Sequence, residues 1–236
     1  MKVNFVDLKY RYKTEKKELN IIFNRIIKSG NLIQSEENRN LEFKISKALG
    51  VKYCLTLNSG TDALMMALWA LGIGKGDEVI TSTLSFIATA GAIAHVGAKP
   101  VFVDCDNYLN IDIKKIEKSI TKKTKAIMPV HWTGRMSNVI AVKKIAKKYN
   151  LKVIEDAAQA IGSSYKNYKP GKLSDAATFS AHPLKPLNAL GDGGYLVTNN
   201  KKIYDKVSLY RNHGLIERDK RELFYDARSR LNRLRR

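Results

Sequence analysis

The chain has 236 residues, 44% of them hydrophobic and 27% charged, with 15 glycines and 5 prolines; this composition builds a core and excludes a disordered or collagen-like chain. The length holds one large α/β domain, or one domain and a fragment of a second. Lys and Arg number 42 against 22 Asp and Glu, a formal charge of +20 that attracts polyanions of several kinds without choosing among them.

In chain order, residues 1–13 carry no apolar run of the secretory kind, so the cytoplasm is the expected location. Leu19, Ile22, Phe23, Ile26 and Ile27 recur at helical spacing and Gly30 stops them, which predicts an amphipathic helix over 15–29 in an N-terminal helical segment, 1–30. A second helix runs through Leu41, Ile45, Ala48 and Leu49 to Gly50. Short β-branched runs then follow at 53–57, 79–81, 101–103, 126–130, 153–154, 177–179 and 195–198, most of them separated by helix-length amphipathic segments. That rhythm predicts βαβ crossovers: an α/β fold with a mainly parallel sheet and helices on both faces. Asp112 and Asn138 stand where N-caps belong, for helices over 112–120 and 138–149.

The longest nearly apolar stretch, 63–74, is too short to span a bilayer, and no membrane partner is expected. Cys54 and Cys105 are far apart, with no spacing for a disulfide framework or a zinc site, so no metal is expected. The lysine runs, such as Lys122-Lys123 and Lys147-Lys148, read as solvated helix faces. The Arg-rich stretch 228–236 lacks acidic relief and reads as a nucleic-acid tail or the cut end of something longer.

Ligands of such sheets collect at the carboxyl ends of the strands, and three places there stand out. The first is Asn58-Ser59-Gly60-Thr61-Asp62, opening a helix over 63–71. Gly60 permits close backbone approach, and Thr61 with the free amides of the helix start suits an anion such as a phosphate; alternatively, Thr61 and Asp62 only cap the helix. The second is Glu155-Asp156-Ala157-Ala158-Gln159. Successive strand residues face opposite ways, so one of the two carboxylates faces a shared ligand. No GxGxxG follows the first strand, which sets aside a dinucleotide and leaves Asp156 needing another cationic partner.

The third place runs from Thr178 to Pro186 and on to Gly191-Asp192-Gly193-Gly194. Lys185 precedes a proline, which puts it in an extended or turn segment. Ser180 at a strand end, an apolar surround and the glycine cluster lift it above surface lysines. Burial would make its amine available for Schiff-base chemistry.

In this order the three sites resemble the phosphate loop, ring-nitrogen carboxylate and Schiff-base lysine of pyridoxal 5'-phosphate (PLP) enzymes of fold type I, the aspartate aminotransferase-like architecture. More narrowly, the chain resembles the nucleotide-sugar aminotransferases of the DegT/StrS type. The stretches that carry this are Phe5-Val6-Asp7-Leu8, Asn58 to Ala63, Gly74 to Ile80, Gly97 to Asp104, Pro129-Val130-His131, Glu155 to Gln159, Phe179 to Lys185 with Gly191 to Gly194, and Arg211-Asn212-His213-Gly214.

The resemblance implies that Gly60, Thr61 and Ser180 hold the cofactor phosphate, Phe86 stacks on the pyridine ring, Asp156 pairs with the ring nitrogen and Gln159 sits near the ring hydroxyl. It makes Lys185 the residue that carries the cofactor and shuttles the substrate proton. Phe86 has a second reading as core packing, and His95, His131 and His182 are expected to orient loops. The implied activity moves an amino group from glutamate to a keto-sugar nucleotide for surface polysaccharide or glycan synthesis, in a homodimer that shares sites through Asn212-His213-Gly214. A sugar dehydratase of this fold would carry histidine at the position of Lys185. Residues 31–214 correspond to the PLP-binding large domain, and 215–236 to the start of a C-terminal small domain or a basic tail. Arg228 stands where the family commonly has an asparagine. The alternative reading is a catalytically incomplete fragment or a polyanion-binding protein on the same scaffold; nucleic acid is not the expected partner.

Overall fold

The computed structural model describes residues 6–215, so Phe5, Arg228 and the rest of the Arg-rich stretch lie outside the described residues. In chain order the elements are α1 (Leu8–Ser29), α2 (Glu36–Leu49), β1 (Tyr53–Leu57), α3 (Gly60–Ala70), β2 (Glu78–Ser82), α4 (Ile87–His95) and β3 (Lys99–Val103). There follow α5 (Ile113–Ile116) with a 3-10 turn (Glu117–Ser119), β4 (Thr124–Met128), α6 (Val139–Lys148), β5 (Lys152–Asp156), β6 (Ala176–Ser180), β7 (Gly194–Thr198) and α7 (Lys201–Tyr210).

The strands form one sheet in the order β1-β7-β6-β5-β4-β2-β3. β7 runs antiparallel to both neighbours and every other pair is parallel, the mainly parallel sheet expected. Strand alternation assigns the faces. Val79, Ala126, Met128 and Ile154 pack with Leu64, Leu68 and Ile93 of α3 and α4, and with Val207 of α7. Ile80, Ile127 and Val153 point the other way, onto Ile116, Val142 and Ile145. Beside that second cluster, Ile45 and Leu49 of α2 cover Cys54, Ala177, Phe179, Tyr195 and Val197. Burial on both faces explains why these strands read as short apolar runs rather than alternating ones.

Three boundaries differ from the sequence expectation. α1 starts at Leu8 and not at 15, because Asp7 caps it, its carboxylate accepting from the Tyr10 amide at 2.9 Å. The first turns are polar, and α1 buries none of its residues, so no apolar periodicity marks them. The helix over 112–120 is a single α turn passing into the 3-10 turn, although Asp112 caps it as predicted, accepting from the Lys114 amide. α3 begins at Gly60, with Ser59 as its cap: Ser59 Oγ accepts from the Asp62 amide at 3.0 Å, so neither Thr61 nor Asp62 is the capping residue. Asn138 caps α6 as expected. Among the described residues no helix is long and apolar enough to cross a membrane, and no group of three or more His, Cys, Asp or Glu is arranged to hold a metal ion.

Candidate active site

A cavity of about 330 Å³ opens at the carboxyl ends of β1, β5 and β6, and Gly60, Thr61, Phe86, Asp156, Gln159, Ser180 and Lys185 all line it. Segments as far apart in sequence as Gly60 and Lys185 meet there because parallel strands put all their carboxyl ends on one edge.

The floor on one side is the start of α3. Its first amides precede any partner four residues back, so Gly60 and Thr61 offer donors at the positive end of the helix. A side chain at Gly60 would place its Cβ 2.8 Å from Ser180 Cβ, so only glycine lets the helix start lie against Ser180. Gly194 is tighter still: a Cβ there would sit 2.3 Å from the Ser59 carbonyl. Gly194 pairs with Leu57 on one side and Ser180 on the other, so it holds the end of β1 and the end of β6 around one helix start. Backbone amides and the hydroxyls of Thr61 and Ser180 converge there, a donor set of the kind that suits an anion.

The two carboxylates of β5 separate as alternation requires. Asp156 lines the cavity and is 6% exposed. Its Oδ2 accepts from Thr89 Oγ1 at 2.6 Å, and its Oδ1 lies 3.3 Å from the Ala158 amide. Glu155 is 1% exposed, and its oxygens accept from the Gly171 amide (2.8 Å), Ser174 Oγ (2.5 Å) and His131 Nε2 (2.9 Å). His131 Nδ1 accepts from the Ser137 amide at 3.2 Å, so the ring proton on Nε2 is the one given to Glu155. Glu155 is spent on the architecture behind the site, and His131 orients a loop.

Phe86 ends the loop before α4 and is 64% exposed, so the core-packing reading fails; its ring stands at the cavity wall. Gln159 follows Asp156 on the loop after β5 and is half-buried; Gly134, in the left-handed region at φ 82°, comes so close that a Cβ would lie 3.0 Å from the Gln159 carbonyl. Lys185 lies in the turn between β6 and β7, held by its amide donating to the His182 carbonyl at 2.8 Å. It is half-buried rather than buried. Phe179, which also lines the cavity, stacks on Tyr195 with ring centroids 4.7 Å apart, and burial pushes the Tyr195 phenol well above its ordinary range.

Sequence reasoning missed Thr89, Ser85 and Asn188. The i,i+4 spacing of Ser85 and Thr89 is a signal for a hydroxyl pair at a helix start, although nothing local ties it to Asp156, 67 residues on.

Residues 13–234 match the profile of the DegT/DnrJ/EryC1/StrS aminotransferase family. The chain is 40% identical over 213 residues to the UDP-2-acetamido-2-deoxy-3-oxo-D-glucuronate aminotransferase of Pseudomonas aeruginosa, covering 90% of this chain and 59% of that protein. It is 43% identical over 233 residues to the dTDP-3-amino-3,6-dideoxy-alpha-D-galactopyranose transaminase of Aneurinibacillus thermoaerophilus, covering 98% of this chain and 64% of that one. The crystal structure of NtdA from Bacillus subtilis with bound cofactor PMP superposes with a TM-score of 0.87 at 34% identity, over 93% of this chain and 50% of that chain. The architecture is fold type I, as expected, and the chain spans less than two thirds of the length of these curated relatives.

Proposed function

Because the chain belongs to the DegT/DnrJ/EryC1/StrS aminotransferase family, we propose that it serves as the cofactor-binding part of a PLP-dependent aminotransferase. The enzyme moves an amino group from glutamate to a keto-sugar nucleotide in cytoplasmic synthesis of surface polysaccharide or glycan. The observation that carries this is the convergence, in one cavity, of an anion seat, a buried carboxylate and a lysine from three different strand ends.

The residues present fit the cofactor. The space that a Cβ at Gly60 would fill is a cradle beside Ser180, and the donor set of amides and hydroxyls suits a phosphate dianion. Bound there, PLP supplies an electron sink for the pair left when a C–H bond beside an amine ionises. The protein's own residues do the rest. Gly60, Thr61 and Ser180 hold the phosphate, and Phe86 covers the ring and excludes water. Asp156, as a carboxylate, would pair with the ring nitrogen and keep it protonated. Gln159 donates near the ring hydroxyl. Lys185 Nζ would hold the cofactor and, as a free amine, would take the proton from the substrate carbon and return it.

Residues 31–214 act as the PLP-binding domain in this reading, behind the N-terminal helical segment. A homodimer is supported by the exposed apolar side chains of Ile87, next to Phe86, and Leu184, on the cavity wall. The test is to load the protein with PLP, reduce with borohydride, map peptides, and assay amino transfer from isotopically labelled glutamate to a panel of keto-sugar nucleotides. A pyridoxyl group on Lys185 and labelled amino sugar are expected. A group on another lysine, or none, overturns the reading.

A further inference from the structure

Thr89 sits in the first turn of α4, 1% exposed, with its hydroxyl 2.6 Å from Asp156 Oδ2. A threonine hydroxyl has one proton, and a carboxylate has none to give. That proton therefore goes to Asp156, and the 2.5 Å contact between Ser85 Oγ and Thr89 Oγ1 runs the other way, with Ser85 donating. The direction of the chain is fixed: Ser85 to Thr89 to Asp156. Ser85 and Asp156 both line the cavity, whereas Thr89, between them, is buried.

Two physical effects follow at Asp156. A short hydrogen bond from a hydroxyl that is itself polarised by a second donor grips the carboxylate oxygen more strongly than a lone hydroxyl would. It also fixes the rotation of the carboxyl group, because Oδ2 is tied to α4 while Oδ1 has only the Ala158 amide at 3.3 Å. Phe86 precedes the same helix, three residues before Thr89, so the residue proposed to cover the ring and the residue that fixes the carboxylate ride on one rigid element.

We propose that Thr89 is a positioning residue for the cofactor's ring nitrogen, acting through Asp156, and that Ser85 is the outer donor that strengthens its grip. This rests on the assignment of PLP to the cavity. A threonine kept only for packing would serve equally well toward any ligand of the same shape. A threonine acting through the carboxylate matters only when the ligand has a nitrogen for that carboxylate to face.

The experiment measures dissociation constants for PLP and for its analogue in which carbon replaces the ring nitrogen, on the wild-type chain, Thr89→Val, Thr89→Ser and Ser85→Ala, with thermal unfolding of each. Thr89→Val is expected to bind PLP about tenfold more weakly, the scale of one lost hydrogen bond to a charged group, and to bind the carbon analogue as the wild type does. Thr89→Ser is expected to restore PLP binding, and Ser85→Ala to weaken it about threefold. Equal weakening toward both ligands, or no change toward PLP while the wild type binds it, overturns the relay. A wild-type chain that binds neither ligand overturns the cofactor assignment and the relay with it.

Discussion

The side-chain amide of Asn188 holds the backbone of Lys185, with Nδ2 donating to the Lys185 carbonyl at 3.0 Å. The same nitrogen donates to the Pro183 carbonyl at 3.0 Å, and Asn188 Oδ1 accepts from Arg11 of α1. One asparagine thus closes the turn that carries the lysine and ties it to a first helix that buries none of its own residues. Asn188→Ala should leave overall stability within about 1 kcal/mol, since the site is part-exposed, while loosening the turn. Hydrogen exchange should quicken at the amides of residues 182–188, and capture of PLP should slow several-fold. Unchanged exchange there would mean that the turn is held by its backbone bonds, to the His182 and Ala181 carbonyls, without Asn188.

The adjacent carboxylates of β5 should fail in different ways. Asp156→Asn should keep the fold and lower turnover by about two to three orders of magnitude, the scale of removing one charged partner from a reacting centre. Glu155→Gln replaces an acceptor of three hydrogen bonds that is 1% exposed, and should cost about 3 kcal/mol of stability. Urea unfolding paired with a turnover assay checks both, and a reversed pattern would assign the catalytic carboxylate to Glu155.

Gly194→Ala should be among the most damaging small substitutions in the chain. Its methyl would meet the backbone of Ser59 at 2.3 Å, and no flexible side chain is there to yield. A loss of more than about 3 kcal/mol is expected, or expression only as aggregate. Gly91, with nothing within 4 Å of its would-be Cβ, is the control: Gly91→Ala should be neutral or slightly stabilising, because it lies within α4.

The two thiols should react at very different rates. Burial, and next the Glu42 carboxylate, push the Cys54 thiol far above its ordinary range, so its thiolate fraction at pH 8 falls well below that of a free cysteine. Cys105 is only half-buried. Alkylation of the native protein at pH 8 should modify Cys105 and spare Cys54 until denaturant is added. Modification of both at similar rates would indicate that α2 opens readily from the sheet.

Much of this architecture is legible in the sequence because it is written locally. Each β-branched run became a strand, since five-residue strands buried on both faces need only a short apolar run. The site residues lie in contiguous motifs at strand ends, where Gly60, Asp156 and Ser180 can be picked from their immediate neighbours. The insertion of β7 between β1 and β6 is not legible, because which strands pair is settled by helix packing on both faces. Thr89 with Asp156 and Arg11 with Asn188 are equally hidden, being contacts across 67 and 177 residues with no pattern at either end. The start of α1 is hidden because its first turns, from Leu8 on, are polar and bury nothing, so the apolar periodicity begins only near Leu19.

The place of β7 also gives the site a history. The helix start proposed to seat an anion is fixed by Gly60, early in the chain, yet it is braced by Gly194, which lies between Leu57 and Ser180 in the finished sheet. A growing chain therefore carries Gly60, Thr61 and Phe86 more than 100 residues before the glycine that braces the helix start. β7 works as a keystone: lying antiparallel between β1 and β6, it holds the two strand ends on either side of the helix start together. Cofactor uptake by nascent chains of increasing length would then mark the moment at which the sheet is closed.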